Sequence, residues 1–192
     1  MNKEFDTLCV YCGASTAVAN KYTEEAYNVG RFLAQSNISL VYGGGNIGLM
    51  KAVADGCLEK NGNVTGVIPH KLQELELSHP EVQKMYVTQG MHERKALMAQ
   101  LSDGFIALPG GFGTLEELAE ITTWSQLNYH SKPVGLLNVF GYYDHLIQWI
   151  TNAVNEQFIR PQHQDLLVHS DNVQELIEKM KQVAYPDLRE VL

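Results

Sequence analysis

Phe105 to Glu117 reads FIALPGGFGTLEE: an apolar run from Phe105 to Leu108, a small-residue loop from Pro109 to Thr114, and then the opening of a helical pattern. A strand whose successive residues are all apolar presents both faces to a core, as strands do in a parallel sheet covered by helices on each side. The same unit recurs outward in both directions. Further strand-length runs are Leu8 to Tyr11, Ile38 to Tyr42, Val64 to Ile68, Met85 to Val87, Val134 to Leu137 and Leu166 to Val168. Between them lie stretches of helical period, with Tyr22, Ala26, Val29 and Leu33 forming one stripe and Leu146, Ile150, Val154 and Phe158 another. Strands that alternate with helices predict an α/β fold. The expectation is a single-domain, Rossmann-like, doubly wound parallel sheet of about seven strands with helices on both faces, forming one unit over residues 1–192. No internal repeat or polar linker breaks the series. Pro69 to Pro80 is its least regular segment, placed as a loop over a site.

Composition narrows the function classes. Lys and Arg total 14 against 22 Asp and Glu, a net charge of −8, which argues against a nucleic-acid protein held by a broad basic face. Any phosphate must be held locally. No apolar stretch approaches the ~20 residues that span a bilayer, and MNKEFD lacks the pattern of a signal peptide, so no membrane partner and a cytoplasmic address are expected. Three cysteines make no disulfide framework. Cys9 and Cys12 spell C-x-x-C, but inside a strand positions three apart point to opposite faces, and no second pair supplies the remaining zinc ligands. His92-Glu93-Arg94-Lys95-Ala96 fails the H-E-x-x-H zinc pattern at its last position, and no metal site is expected.

Ligands of an open parallel sheet bind outside the carboxyl ends of its strands. Three runs enter glycine-containing loops there: Cys12-Gly13-Ala14-Ser15, Gly43-Gly44-Gly45-Asn46-Ile47-Gly48 and Pro109-Gly110-Gly111-Phe112-Gly113-Thr114. Glycine lets backbone N–H groups approach an anion, and the following helix adds its positive dipole end. Tight β-α turns use glycine as well, but three such loops together point to phosphate. Gly43, Gly45 and Gly48 formally match G-x-G-x-x-G, yet Val67-Ile68-Pro69-His70-Lys71 has no carboxylate where a dinucleotide site holds the ribose. Gly113 is followed directly by Thr114, so the third loop is not a Walker loop.

Two charged segments call for explanation. Arg94 and Lys95 fall near a helix start, where cations oppose the dipole; they are either solvated surface groups or an anion clamp, in which a guanidinium holds two phosphate oxygens. Thr114-Leu115-Glu116-Glu117 has the form of a capping box, which alone accounts for Glu117, and Glu120 follows one turn on. Two carboxylates beside a phosphate loop also suit charge work on a sugar.

The sequence resembles the LOG ("lonely guy") family of phosphoribohydrolases. The resemblance rests on PGGFGTLEE from Pro109 to Glu117, which fits PGG-x-GT-x-x-E, and on MHERK from Met91 to Lys95, which fits M-x-x-RK. VYCGAS, VYGGGNIGLM, GVIP and TWSQLNYHSKPVGLLN extend it from about Leu8 to about Gln182. Departures are Ala14, where the family more often has serine, and Lys51, where it often has glycine. The resemblance implies hydrolysis of the N-glycosidic bond of a nucleoside 5'-monophosphate, with an adenine carrying a hydrophobic group on its exocyclic amine in the cytokinin branch and simpler nucleotides such as AMP in relatives. It implies Arg94 and Glu117 as the catalytic pair, with Gly110, Gly111, Gly113 and Thr114 as the phosphate loop. Ser15, Gly43, Gly44, Gly45, Glu76, Met91, Lys95 and Glu120 are expected around the substrate. Arg94 is open to two roles, on the leaving base or on the phosphate. No cofactor is required, and a homodimer is expected, with Trp124 and Leu127 on the Ile121 to Asn128 helix as its candidate interface. A non-catalytic nucleotide sensor or carrier is the alternative. A pyridoxal-phosphate lysine decarboxylase is disfavoured, because no lysine sits in a recognisable Schiff-base context.

Overall fold

Each apolar run of the sequence is a strand. A computed structural model describes residues 4–75 and 78–185. In chain order the strands are β1 Thr7–Tyr11, β2 Ser39–Tyr42, β3 Val64–Pro69, β4 Lys84–Thr88, β5 Gly104–Ala107, β6 Val134–Leu137 and β7 Leu167–Ser170. The helices are α1 Asn20–Gln35, α2 Gly48–Glu59, α3 His70–Gln73, α4 Met91–Gln100, α5 Phe112–Gln126, α6 Asp144–Asn155, α7 Pro161–Gln164 and α8 Val173–Lys181. The seven strands form one sheet in the order β4-β3-β2-β1-β5-β6-β7, and every pairing is parallel. The chain winds one way from β1 to β4, crosses back along α4, and winds the other way from β5. Its direction therefore reverses between β1 and β5, which makes a crevice at their carboxyl ends.

The sheet separates two cores. Leu8, Val10 and Cys12 join the cluster covered by α1, α2 and α8, while Cys9 and Tyr11 join the one covered by α4, α5 and α6. Cys9 and Cys12 thus lie on opposite faces, as the period of a strand requires, and both are buried free thiols.

Two expectations about local structure are corrected. Phe158 is not part of the α6 stripe: Gln157 adopts φ 66, the left-handed conformation, so the helix has ended before Phe158, which is 86% exposed. Pro69 to Pro80, the least regular segment of the sequence, holds regular structure in its described residues, 69–75 and 78–80. Pro69 still belongs to β3, α3 follows at once, and Ser78 bridges to Gly45. Buried His79 fastens the segment: its N–H donates to the Gly44 carbonyl at 3.0 Å and its Nδ1 accepts from the Glu81 N–H at 3.2 Å. In the neutral ring that leaves the proton on Nε2, which lies 3.0 Å from Asp55 Oδ1.

Helices α1 and α2 cross at two glycines. A Cβ on Gly30 would sit 2.1 Å from the Val53 carbonyl oxygen, and one on Gly56 would sit 2.0 Å from that of Tyr27. Neither backbone can yield without separating the helices. Gly30→Ala is therefore expected to destabilise the fold by ~1–3 kcal/mol through overpacking, read as a lower denaturant midpoint; an unchanged midpoint would contradict the crossing.

Candidate active site

The crevice is closed at its base by the two loops that flank the reversal. The Gly13 N–H donates to the Pro109 carbonyl at 3.0 Å, and the Gly13 carbonyl accepts from the Leu49 N–H at 2.9 Å, tying the β1 loop to both β5 and the start of α2. Above them lies a cavity of about 640 Å³, bounded by Cys12 to Ser15, by Gly43, Gly45 and Ile47, and by Pro109 to Gly111, Gly113 and Thr114. All three glycine loops of the sequence meet there.

Helix α5 opens onto this cavity. Its N-cap is Gly111, in extended backbone with φ −99 and ψ −150, and no side chain caps it. This corrects the capping-box expectation. Phe112 and Gly113 are already helical, so Thr114 stands within the first turn and Glu117 a turn further on, too deep to reach back to the start. The first N–H groups of a helix have no partner within it, so α5 presents uncapped donors and the positive end of its dipole at the cavity.

Glu117 turns instead to Arg94. Arg94 Nη1 donates to Glu117 Oε1 at 2.8 Å, and both side chains are only 8% exposed. The guanidinium is fixed from a second side, because Nε donates to the Val67 carbonyl of β3 at 3.0 Å. Gly43 makes the room: a Cβ there would lie 2.0 Å from Arg94 Nη2. Burial raises the Glu117 carboxyl above its ordinary value of 4.5, while Arg94 pulls the other way.

The cations near the start of α4 are therefore not solvated. Lys95 is buried and its ammonium is held by Glu116 and by Glu120, the latter at 3.0 Å. The dipole penalty for placing cations there is offset by carboxylates from α5. Glu93 supports the same turn by accepting the Gln89 N–H at 2.8 Å.

Ser15, Gly43, Gly45, Met91, Arg94, Gly110, Gly111, Gly113, Thr114 and Glu117 all border the cavity. Gly44, Lys95 and Glu120 do not: Gly44 is buried at φ +75 against β3, and the other two are occupied with each other. Glu76 lies outside the described residues. Sequence reasoning missed Val18, Tyr22, Leu49, Met50, Ile68, Leu72 and Tyr142, which also line the walls. Tyr142 could have been suspected, since it follows β6 at the carboxyl edge of the sheet. Among the described residues, no group of three or more His, Cys, Asp or Glu is placed to hold a metal, and no helix is long and apolar enough to cross a membrane.

Comparison with known proteins places the chain in a family. A family model described as "possible lysine decarboxylase" matches residues 50–180. The cytokinin riboside 5'-monophosphate phosphoribohydrolase LOG3 of Arabidopsis thaliana is 46% identical over 181 residues, 94% of this chain and 84% of that protein. The probable enzyme of the same name, LOGL2, of Oryza sativa subsp. japonica is 46% identical over 182 residues, 95% of this chain and 75% of that protein. Among solved structures, the molybdenum cofactor carrier protein of Chlamydomonas reinhardtii shares the fold, with a TM-score of 0.71 at 23% identity over 93% of this chain and 98% of that one. Similarity to the phosphoribohydrolases extends over nearly the whole chain and spans both the Arg94 and the Glu117 segments, so the protein belongs to the LOG family.

Proposed function

We propose that the protein hydrolyses the N-glycosidic bond of nucleoside 5'-monophosphates, giving a free base and ribose 5-phosphate. The observation that carries this reading is the buried Arg94–Glu117 pair, set in the wall of a cavity onto which the uncapped α5 N-terminus opens. In this reading the 5'-phosphate sits at Gly110 to Thr114, where the first α5 amides and the helix dipole favour an anion. The ribose then lies toward Glu117. Breaking the bond sends its electron pair to the base nitrogen and leaves an oxocarbenium-like ribosyl cation. The Glu117 carboxylate stabilises that cation and orients the water that attacks the anomeric carbon, the proton that water gives up balancing the one the departing base nitrogen takes, and Arg94 holds the carboxylate in place while placing positive charge near the departing base or the phosphate.

Apolar side chains dominate the remaining wall, including Val18, Ile47, Met50, Ile68 and Leu72. They suit an adenine whose exocyclic amine carries a hydrophobic group, a base of the kind expected for a cytokinin riboside 5'-monophosphate, which the relatives' names give as substrate. The compartment proposed is the cytoplasm, where free nucleotides are found.

The expected homodimer is assigned to a groove of about 420 Å³ between α5, α6 and α7, lined by Leu115, Leu118, Trp149 and Ile159. Phe112 beside it is 93% exposed, and Trp149 is 62% exposed. Of the two residues expected at the interface, Leu127 is exposed and Trp124 is partly buried against the core cluster under α5. Trp149→Asp is predicted to convert the dimer to a monomer in sedimentation; a wild type that sediments as a monomer would contradict the assignment.

Incubating the protein with AMP and with an isopentenyl-type adenine nucleotide should release free base. Binding without base release would favour the carrier alternative. Glu117→Gln keeps the shape of the side chain and should fold, but lower kcat by at least ~10²-fold, the scale lost with one electrostatic partner. Because the folded-state pKa of Glu117 is raised, the ionised form is lost as pH falls through a value above 4.5. The acid limb of kcat/KM should accordingly lie above that value, and a limb below it would contradict the role given to Glu117.

A further inference from the structure

Two consecutive phenols outside the catalytic pair grip the loop that is read above as the phosphate site. The Tyr142 hydroxyl donates to the Gly110 carbonyl at 2.6 Å, and the Tyr143 hydroxyl donates to the Leu108 carbonyl at 2.6 Å. These carbonyls stand on either side of Pro109, which has no N–H of its own to anchor the turn. Each peptide unit is planar and trans, so fixing the Gly110 carbonyl also fixes the direction of the Gly111 N–H in the same plane. A glycine pair is otherwise the easiest place in the chain for that plane to rotate.

The turn that delivers the phenols is itself strained. Phe140 adopts φ 57 and ψ 24, and Gly141 φ 68, so a bulky residue is held in the left-handed region that side chains of its size rarely adopt. Asn138 holds it there: its Oδ1 accepts from the Tyr143 N–H at 2.7 Å, and its Nδ2 donates to Asp144 Oδ1 at 2.8 Å. Edge-on ring contacts continue from Tyr143 to Tyr142 at 4.9 Å, from Tyr142 to Tyr22 at 5.7 Å and from Tyr22 to Phe140 at 5.5 Å. The strain, the asparagine bracket and the edge-on rings all converge on one outcome, two hydroxyls placed on two carbonyls of the Leu108 to Gly111 loop.

We propose that the Asn138 to Tyr143 turn is a strap that sets the orientation of the anion loop, with Tyr142 and Tyr143 as positioning residues for the phosphate end of the substrate. The proposal rests on the reading of Gly110 to Thr114 as the phosphate site. The strap acts on binding: it keeps the loop amides aimed before the ligand arrives, which lowers the ordering cost of association.

Tyr142→Phe removes one hydroxyl from a partly exposed ring and is the test. Loss of one hydrogen bond should raise KM for the nucleotide about 3- to 10-fold, with kcat falling by less than KM rises. The inhibition constant of ribose 5-phosphate should rise by the same factor, and that of the free base should stay as in wild type. Unchanged constants for ribose 5-phosphate would overturn the strap, and so would an equal rise for ribose 5-phosphate and free base, which would mean general loosening. If the wild type released no base, the proposed hydrolysis would fail by itself; calorimetric titration of ribose 5-phosphate into wild type and Tyr142→Phe would still read the strap, weaker binding by the variant supporting it and equal affinity or no binding by either overturning it.

Discussion

A charge pair taken out of water sets the terms for this site. Arg94 and Glu117 are 8% exposed on each side chain, and removing either would leave the other as an uncompensated buried charge at a cost of ~3–5 kcal/mol. They come from different helices, and the topology is what joins them. Helix α4 is the connection that reverses the winding of the sheet: it leaves β4 at one edge and returns to β5 beside β1. Its first turns therefore pass beneath the carboxyl end of β3, where Arg94 meets the Val67 carbonyl, and reach α5 at the crevice. A sheet wound in one direction only would not bring those two segments together.

The site also answers how a chain of net charge −8 can receive an anion. Three carboxylates stand on the first turns of α5, and each is answered by a cation of α4: Glu117 by Arg94, Glu116 and Glu120 by Lys95. Two cations offset most of the charge of the three carboxylates, and the Gly111 end of α5 adds its own amides and dipole for an anion. Lys95 in this arrangement serves the nucleotide indirectly. It weakens the repulsion that Glu116, at the rim of the cavity, would otherwise exert on a phosphate.

Much of this was legible in the sequence, for reasons that differ by feature. The seven strands announce themselves because a strand buried on both faces must be apolar at consecutive positions, and the glycine loops because backbone can approach a ligand closely only where side chains are absent. The start of α5 misled, since Thr114 and Glu117 have the spacing of a capping box while the helix begins earlier, at Phe112. Phe158 misled because helical period does not reveal the left-handed Gln157 that ends α6. The motif points Lys95 toward the substrate, whereas its partners Glu116 and Glu120 stand on a helix whose approach depends on tertiary contact. The Tyr142 and Tyr143 hydrogen bonds to Gly110 and Leu108 span 32 and 35 residues, a distance that no local pattern encodes.

The account stands on Arg94 and Glu117 acting as one unit, and a double-mutant cycle on kcat/KM tests that most directly. Arg94→Gln and Glu117→Gln should each remove most of the activity toward a nucleoside 5'-monophosphate, and the double variant should be little worse than either single one. Losses that multiply across the two positions would show two independent contributions and contradict the account.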